Sequence, residues 1–494
     1  MKKLFRLALL ISLAILSLSL VGCTDGDTQG EKETIKYTLN SSGEATVTGC
    51  SADTVSLTLP SSIDGHPIVA IGAGAFFNCS SLESVKIENG LTLIEDRAFE
   101  NCTSLKSITI PDSVKSIGEF AFNSCTSLNE INIGEGSMLE YIGKSAFYSC
   151  RALEFNEYDN AKYISKTKNA YFILYEAASK EITSCEINAM TKIIASEAFA
   201  ECVKLAEINI AENIEHIGKS AFKSCSRLGE IYFNAVIQDC DKENPIFEKA
   251  GSVSVPVTVT VGKNVARIPN YLFASMPRLV SVVFEDAESI TSFGDGAFYK
   301  CTYLPSVSLP KNVQSIGAHA FEKCKNMESI TLDNTALSFI GSDAFLECDL
   351  LTYVQISDKK AFCECEYENK SSSPLSNENA VIVYNDKSTS NLILPEGITK
   401  ISSYAFAGYS LLAKIIIPKS VKEIEKFAFM DCDNLEAVYY SDTETAFNSL
   451  KIGEGNDKLL GSTVFYYSAT QPTTSGNFWC YVNGVPGVWQ NSEE

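Results

Sequence analysis

The fold is decided by the stretch Phe99 to Cys125, FENCTSLKSITIPDSVKSIGEFAFNSC. Ile108 and Ile110 alternate with Ser107 and Thr109, the period-2 pattern of a strand with one buried face. Pro111 has no N–H to donate and stops the pairing. Val114 and Ile117 point back into the same core, Gly118 suits a tight turn, and Ala121-Phe122 place a small and a large side chain inside. Leu105 opens this pattern and Leu128 reopens it. A single unit of this kind cannot bury its own apolar face, so it requires stacked copies.

The copies are present. Phe76, Phe99, Phe122, Phe147, Phe199, Phe222, Phe247, Phe273, Phe298, Phe321, Phe345, Phe406 and Phe429 all take the Phe122 role. Most neighbours lie in the twenties of residues apart, with wider gaps from 147 to 199 and from 345 to 406. A period in the twenties with L-x-x-I-x-I before a buried turn is the pattern of a leucine-rich repeat. The full unit, AF-x-x-C-x-x-L-x-x-I-x-I-P-x-x-V-x-x-IG, resembles the repeat of the BspA-like bacterial surface leucine-rich-repeat lipoproteins over residues 50 to 440. The expected fold is a repeat solenoid of coils of about 23 residues. It would carry a continuous parallel β-sheet on one face, short strands and helical turns on the other, and β-hairpin-type caps.

From the start of the chain, Lys2, Lys3 and Arg6 precede an uncharged apolar run, Leu7 to Val21. That run has the length of a signal-peptide core and is short for a membrane span. It ends in Leu20-Val21-Gly22-Cys23, which resembles a lipoprotein box and implies lipid attachment at Cys23 with residues 1–22 removed; an ordinary secretory signal is the alternative. Residues 23–35 read as a flexible tether and 36–50 as an N-terminal cap hairpin. The solenoid is expected over 51–440, with insertions near 151–180, 234–258 and 361–388, and a C-terminal cap over 441–494. That cap holds both tryptophans, Trp479 and Trp489, and the turn signal Asn483-Gly484. The 361–388 segment, rich in Ser, Asn and Glu, reads as a loop between coils.

A formal charge of −21 argues against nucleic acid or anionic lipid surfaces as partners. Ten of the 17 cysteines (Cys79, Cys102, Cys125, Cys150, Cys202, Cys225, Cys301, Cys324, Cys348, Cys432) stand three residues after a repeat phenylalanine. They read as a ladder of buried free thiols, although an exported chain makes bridges possible. Cys50, Cys240, Cys363, Cys365 and Cys480 fall outside the ladder, and Cys363-Glu-Cys365 lacks the second pair or histidines that a metal site needs. His66, His216 and His319 sit at turn or variable positions, and no catalytic motif is present, so neither catalysis nor a cofactor is expected.

What remains is surface. On each strand the residues between the buried ones face outward, and Tyr353, Ile416 and Tyr439 are the largest apolar side chains among those of the C-terminal coils. They are the candidate ligand-binding residues. The resemblance implies an outward-facing, lipid-anchored adhesion-like protein that binds an extracellular protein of a host or neighbouring cell. A glycan-binding component of a nutrient-capture system and a passive structural stalk are the alternatives.

Overall fold

The computed structural model describes residues 35–489 apart from 253, 333–335, 385–386 and 483–484. The lipid box at Cys23, the signal segment and the Asn483-Gly484 turn lie outside the described residues. The chain divides into two units, one made of residues 35–139 with 145–154, the other of 140–144 with 155–489.

In the first unit the four-residue strands Ser56–Leu59, Ser84–Ile87, Ser107–Ile110 and Glu130–Ile133 pair in parallel. Ile108 faces Ile131 and Ile110 faces Ile133, so every apolar residue stacks on its repeat equivalent. A second ladder of short strands, including Leu93–Ile94 and Ser116–Ile117, closes each coil on its other side. The hairpin Lys36–Leu39 with Ala45–Gly49 lies beside that ladder. Between the ladders run the phenylalanines: Phe76, Phe99, Phe122 and Phe147 stack with centroids 5.0, 5.0 and 5.2 Å apart. The second unit repeats the device from Phe199 to Phe345, with spacings between 5.0 and 6.0 Å, and again at Phe406 and Phe429. The repeat solenoid read from the sequence is the observed fold, with two corrections.

The first correction concerns the turns, which are not helical. The residues two before and two after the buried phenylalanine take left-handed backbone, as at Phe120 (φ 55°) and Ser124 (φ 60°) around Phe122. Each such non-glycine residue costs about 1–3 kcal/mol and persists only when its surroundings determine it. Here they do. With a left-handed residue on either side of the phenylalanine, every second N–H of the turn faces the next coil and donates to it, while the ones between bond inside the turn. Arg97, Phe99 and Asn101 donate to the carbonyls of Glu119, Ala121 and Asn123 at 2.8, 2.7 and 2.8 Å. The row ends at Phe429, whose N–H is accepted by the buried Asn456 side chain at 2.9 Å. Gly118 does not form the tight turn expected of it. A Cβ there would lie 2.5 Å from the Asp96 nitrogen, so glycine is needed for coil-to-coil approach.

The second correction is that the long-strand sheet is not continuous. In the second unit it falls into a four-stranded sheet from Glu207 to Phe284, a five-stranded one from Ser306 to Thr389, and a six-stranded one from Asn391 to Val488. At the first of these breaks one regular bond is missing. The residue after the repeat leucine normally donates to the preceding coil, as Lys106 does to Glu83 and Thr352 to Glu328. In the coil of Leu304 that residue is Pro305, which has no N–H. The second break follows the antiparallel hairpin Val381–Tyr384 with Lys387–Thr389.

The segment 361–388 is not a loop between coils; it is itself a coil. Asp358 caps the helix Lys359–Glu364 through its Oδ1, which accepts from the Lys360 and Ala361 nitrogens at 2.7 and 3.0 Å. Glu366–Tyr367 then extends the short-strand ladder beside Phe339–Ile340, and Val381–Tyr384 extends the long-strand sheet beside Tyr353–Ile356. Phe362 packs on Phe406 at 5.9 Å, and Cys363, Cys365, Tyr367 and Leu375 are buried with it. Its Ser371 carbonyl accepts from the Phe345 N–H at 2.9 Å, the same bond a regular coil supplies.

The cysteine ladder is buried, except that Cys79 is half-exposed. Ala250, Met276 and Tyr409 fill the same slot in other coils, but where it holds cysteine the thiol donates to the phenylalanine carbonyl of the preceding coil. Cys102, Cys125 and Cys150 reach the Phe76, Phe99 and Phe122 oxygens at 3.2, 3.1 and 3.1 Å. Cys225, Cys301 and Cys432 repeat the contact at 3.1, 3.1 and 3.2 Å. Burial pushes these last three thiols up to about 12. Since the thiolate is the nucleophile, iodoacetamide at pH 8 is expected to leave Cys225, Cys301 and Cys432 unmodified until denaturant is added. Peptide mass spectrometry before and after denaturation checks this. Alkylation of the three in the native protein would contradict it.

Candidate ligand-binding face

Period-2 strands put one set of side chains in the core and the other on the outer side of the sheet. In the first unit the outer set is small and polar, and Ser84 donates from Oγ to the Ser56 hydroxyl at 3.0 Å across the strands. In the five-stranded sheet of the second unit it includes Tyr353, flanked in register by Ser329 and Val381. Tyr353 is 53% exposed, which agrees with its reading as an open outward aromatic.

Ile416 and Tyr439 do not share that environment, and the expectation of an open surface there is corrected. Both are on the outer side of the six-stranded sheet, in one cross-strand row Ile393, Ile416, Tyr439 and Phe465. Yet they are only 5% and 8% exposed, because they form a small second core with Trp479. The strand Phe478–Val482 joins the sheet beside Tyr466 and Tyr467. From it the Trp479 side chain lies back over the sheet, edge-on to Tyr439 at 5.7 Å, and its Nε1 donates to the Tyr440 carbonyl at 2.9 Å. The buried indole thus finds the partner that burial demands.

The tail that covers those two residues presents new ones. Tyr467 and Tyr481 pack on Trp479 at 5.3 and 5.0 Å and stay 37% and 48% exposed. Burial, then the neighbouring Tyr467 and Glu396, raise the Tyr481 hydroxyl above its ordinary value. The result is a pair of partly exposed tyrosines packed on a buried indole. Nothing in the sequence separated Tyr467 and Tyr481 from the buried aromatics of the tail, because the pairing of that tail with the sheet is non-local.

Among the described residues, no group of three or more His, Cys, Asp and Glu side chains is placed to hold a metal. His319 Nδ1 lies 2.6 Å from the Glu322 carboxylate, and His66 Nδ1 lies 2.8 Å from the Gly43 carbonyl. The first is a tie within one turn; the second joins the His66 strand to the turn of the N-terminal hairpin, 23 residues earlier. No helix among the described residues is long and apolar enough to cross a membrane.

The sequence model of the BspA type leucine rich repeat region matches residues 49–173, 173–260, 244–373 and 377–452, and the chain belongs to this family. Leucine-rich-repeat proteins of this type generally mediate protein interaction or surface adhesion and are typically non-enzymatic. Among solved structures the chain is similar to a leucine-rich repeat protein from Bacteroides ovatus, at 22% identity and a TM-score of 0.39, covering 86% of this chain and 99% of that one. A leucine rich cell surface protein from Faecalibacterium prausnitzii is also 22% identical, with a TM-score of 0.27 and coverage of 86% and 98%. The pneumococcal vaccine antigen PcpA is 15% identical, with a TM-score of 0.28 and coverage of 90% and 93%. A search of curated proteins returned no match.

Proposed function

We propose that the chain is a non-catalytic, lipid-anchored cell-surface protein that binds an extracellular protein through the outer face of its solenoid sheet. The observation that carries this reading is the pair Tyr467 and Tyr481, exposed yet held against the buried Trp479. Rigid, partly exposed aromatics are what protein interfaces use as anchors, since little side-chain entropy is lost on binding. Tyr353 adds a third anchor on the five-stranded sheet. Ile416 and Tyr439 belong to the support beneath the anchors and not to the contact surface. The family's general role in protein interaction favours a protein ligand over a glycan.

A pull-down with the mature chain against extracellular-matrix proteins, run beside a glycan array, tests the ligand class. With the captured protein as probe, Tyr353→Ala is expected to weaken binding by about 1 kcal/mol or more, as hot-spot aromatics do. Tyr481→Ala should act in the same direction. Titration calorimetry reads both, and parental affinity in both variants would remove the outer face as the binding surface.

The anchor rests on Leu20-Val21-Gly22-Cys23 after the short apolar run. Cys23→Ser is expected to abolish incorporation of labelled fatty acid and to leave the precursor uncleaved. Labelling at the parental level would sink the anchor and leave the binding face standing.

A further inference from the structure

The four-stranded sheet of the second unit begins at Glu207–Ile210, and that strand has an open edge. The coil-to-coil bonding starts there as usual, with the Ala206 N–H on the Thr183 carbonyl at 3.0 Å. It then stops. In other coils the residue after the strand donates back, as Glu88 does to Leu59 at 3.0 Å and Asn234 to Ile210 at 2.8 Å. Among the described residues, Ala211, at the same position, makes no such bond. The preceding coil, residues 184–187, forms no strand and is tied to the turn at Asp159 and Asn160 instead. Asp159 Oδ2 accepts from the Glu186 N–H, and the Cys185 thiol donates to the Asp159 carbonyl at 3.1 Å. Asn160 Nδ2 donates to the Ser184 carbonyl, also at 3.1 Å.

Between the two chains lies a groove of about 420 Å³, walled by Asp159, Glu186, Glu207 and Glu230. Glu207 and Glu230 hold facing positions on paired strands, where like charges repel. Neither has a cationic partner among the described residues. Lys204, three residues before Glu207, pairs with Glu181 at 2.8 Å. Tyr232, in register with Asn209, also lines the groove, and its hydroxyl donates to Glu285 Oε2 at 2.9 Å.

We propose that this groove docks an extended, lysine- or arginine-bearing segment of a partner protein, which adds as a strand to the open edge of Glu207–Ile210. An open edge offers unpaired N–H and C=O groups that template another chain, and main-chain bonds then supply affinity. Alternate residues of a strand face the same way, so a cation at every second position meets the carboxylate wall. The Tyr232 ring offers such a cation a π face. The complementary charge fixes orientation and speeds encounter. This site stands on a different sheet from Tyr353, Tyr467 and Tyr481 and goes beyond the aromatic anchors, so its failure and theirs are read separately.

The test titrates the full chain into a fluorescein-labelled hexapeptide of alternating lysine and valine and follows anisotropy at low and high salt. Binding is expected, weakening as salt rises. The double variant Glu207→Gln with Glu230→Gln should bind about tenfold more weakly, in line with the loss of two facing charges. Both side chains are exposed and mutually repelling, so its thermal transition should not fall. The same peptide methylated on its backbone nitrogens keeps its charges but cannot donate, and should also bind about tenfold more weakly. Glu288→Gln, a carboxylate outside the groove, should bind as the parent does. Absence of binding by the parent overturns the proposal, as does parental affinity in the double variant. Parental affinity for the methylated peptide would show that charge alone attracts it, and overturns the docking as a strand.

Discussion

Deleting residues 366–380 is expected to unfold the surrounding coils of the second unit at far lower temperature than the parent. The segment carries Glu366–Tyr367, which pairs with Phe339–Ile340, and the buried Tyr367, Ser372, Ser373 and Leu375. Ser372 donates from Oγ to the Gly341 carbonyl at 2.9 Å, and Ser371 supplies the acceptor for Phe345. Emptying a buried leucine site costs about 2–5 kcal/mol and an aromatic one about 3–5. Loss of both, with the strand they stand on, should exceed about 5 kcal/mol, comparable to the whole stability of a small domain. Calorimetry of the deleted chain decides the matter. An unchanged transition would mean that the segment is a decoration after all.

The second large effect is expected at one rung of the phenylalanine stack. Phe122 is fully buried between Phe99 at 5.0 Å and Phe147 at 5.2 Å. Phe122→Ala should cost about 3–5 kcal/mol, the range for an emptied aromatic site. The stacking adds about 0.5–1.5 kcal/mol per aromatic pair beyond buried area, which places the loss toward the upper end. The turn donors that tie this coil to its neighbours are backbone groups, among them Phe122 N–H to the Ala146 carbonyl at 2.7 Å, and the substitution leaves them in place. Stability in a stacked array is a sum of coil and nearest-neighbour terms. Faster amide exchange should therefore stay within the coils of Phe99, Phe122 and Phe147. A uniform rise throughout the first unit would refute that locality.

The ligand face shows how far local pattern reaches. Tyr353 and Tyr439 are both outward residues of four-residue strands, Tyr353 ahead of the first buried residue and Tyr439 between two buried ones. Pattern alone treats them alike. One is half-exposed and the other buried because Trp479, on a later strand of the same sheet, lies across Tyr439 and leaves Tyr353 open. The covering contact depends on where the tail rejoins the sheet. The loop expectation for 361–388 failed for a related reason. Its composition is polar, yet Ser372 and Ser373 are buried because turn carbonyls of neighbouring coils accept from them, Gly341 at 2.9 Å and Ala405 at 3.4 Å.

By itself the sequence determined the coil. The alternation around Ile108 and Ile110, the phenylalanine three residues before each ladder cysteine, and their recurrence settle a stacked parallel array, because period-2 burial and self-similarity are local properties. Pro305 was equally legible as a residue without a donor, but its consequence needed a partner. Only the stacked coils reveal that its missing N–H falls where a neighbour expects a bond, and that the sheet parts there. Tertiary structure alone decided which outward residues stay open and which polar segment is core. Each of these depends on a neighbour at least one coil away along the chain, and the strength of a contact depends on what excludes water from it, not on the residues that flank it in the sequence.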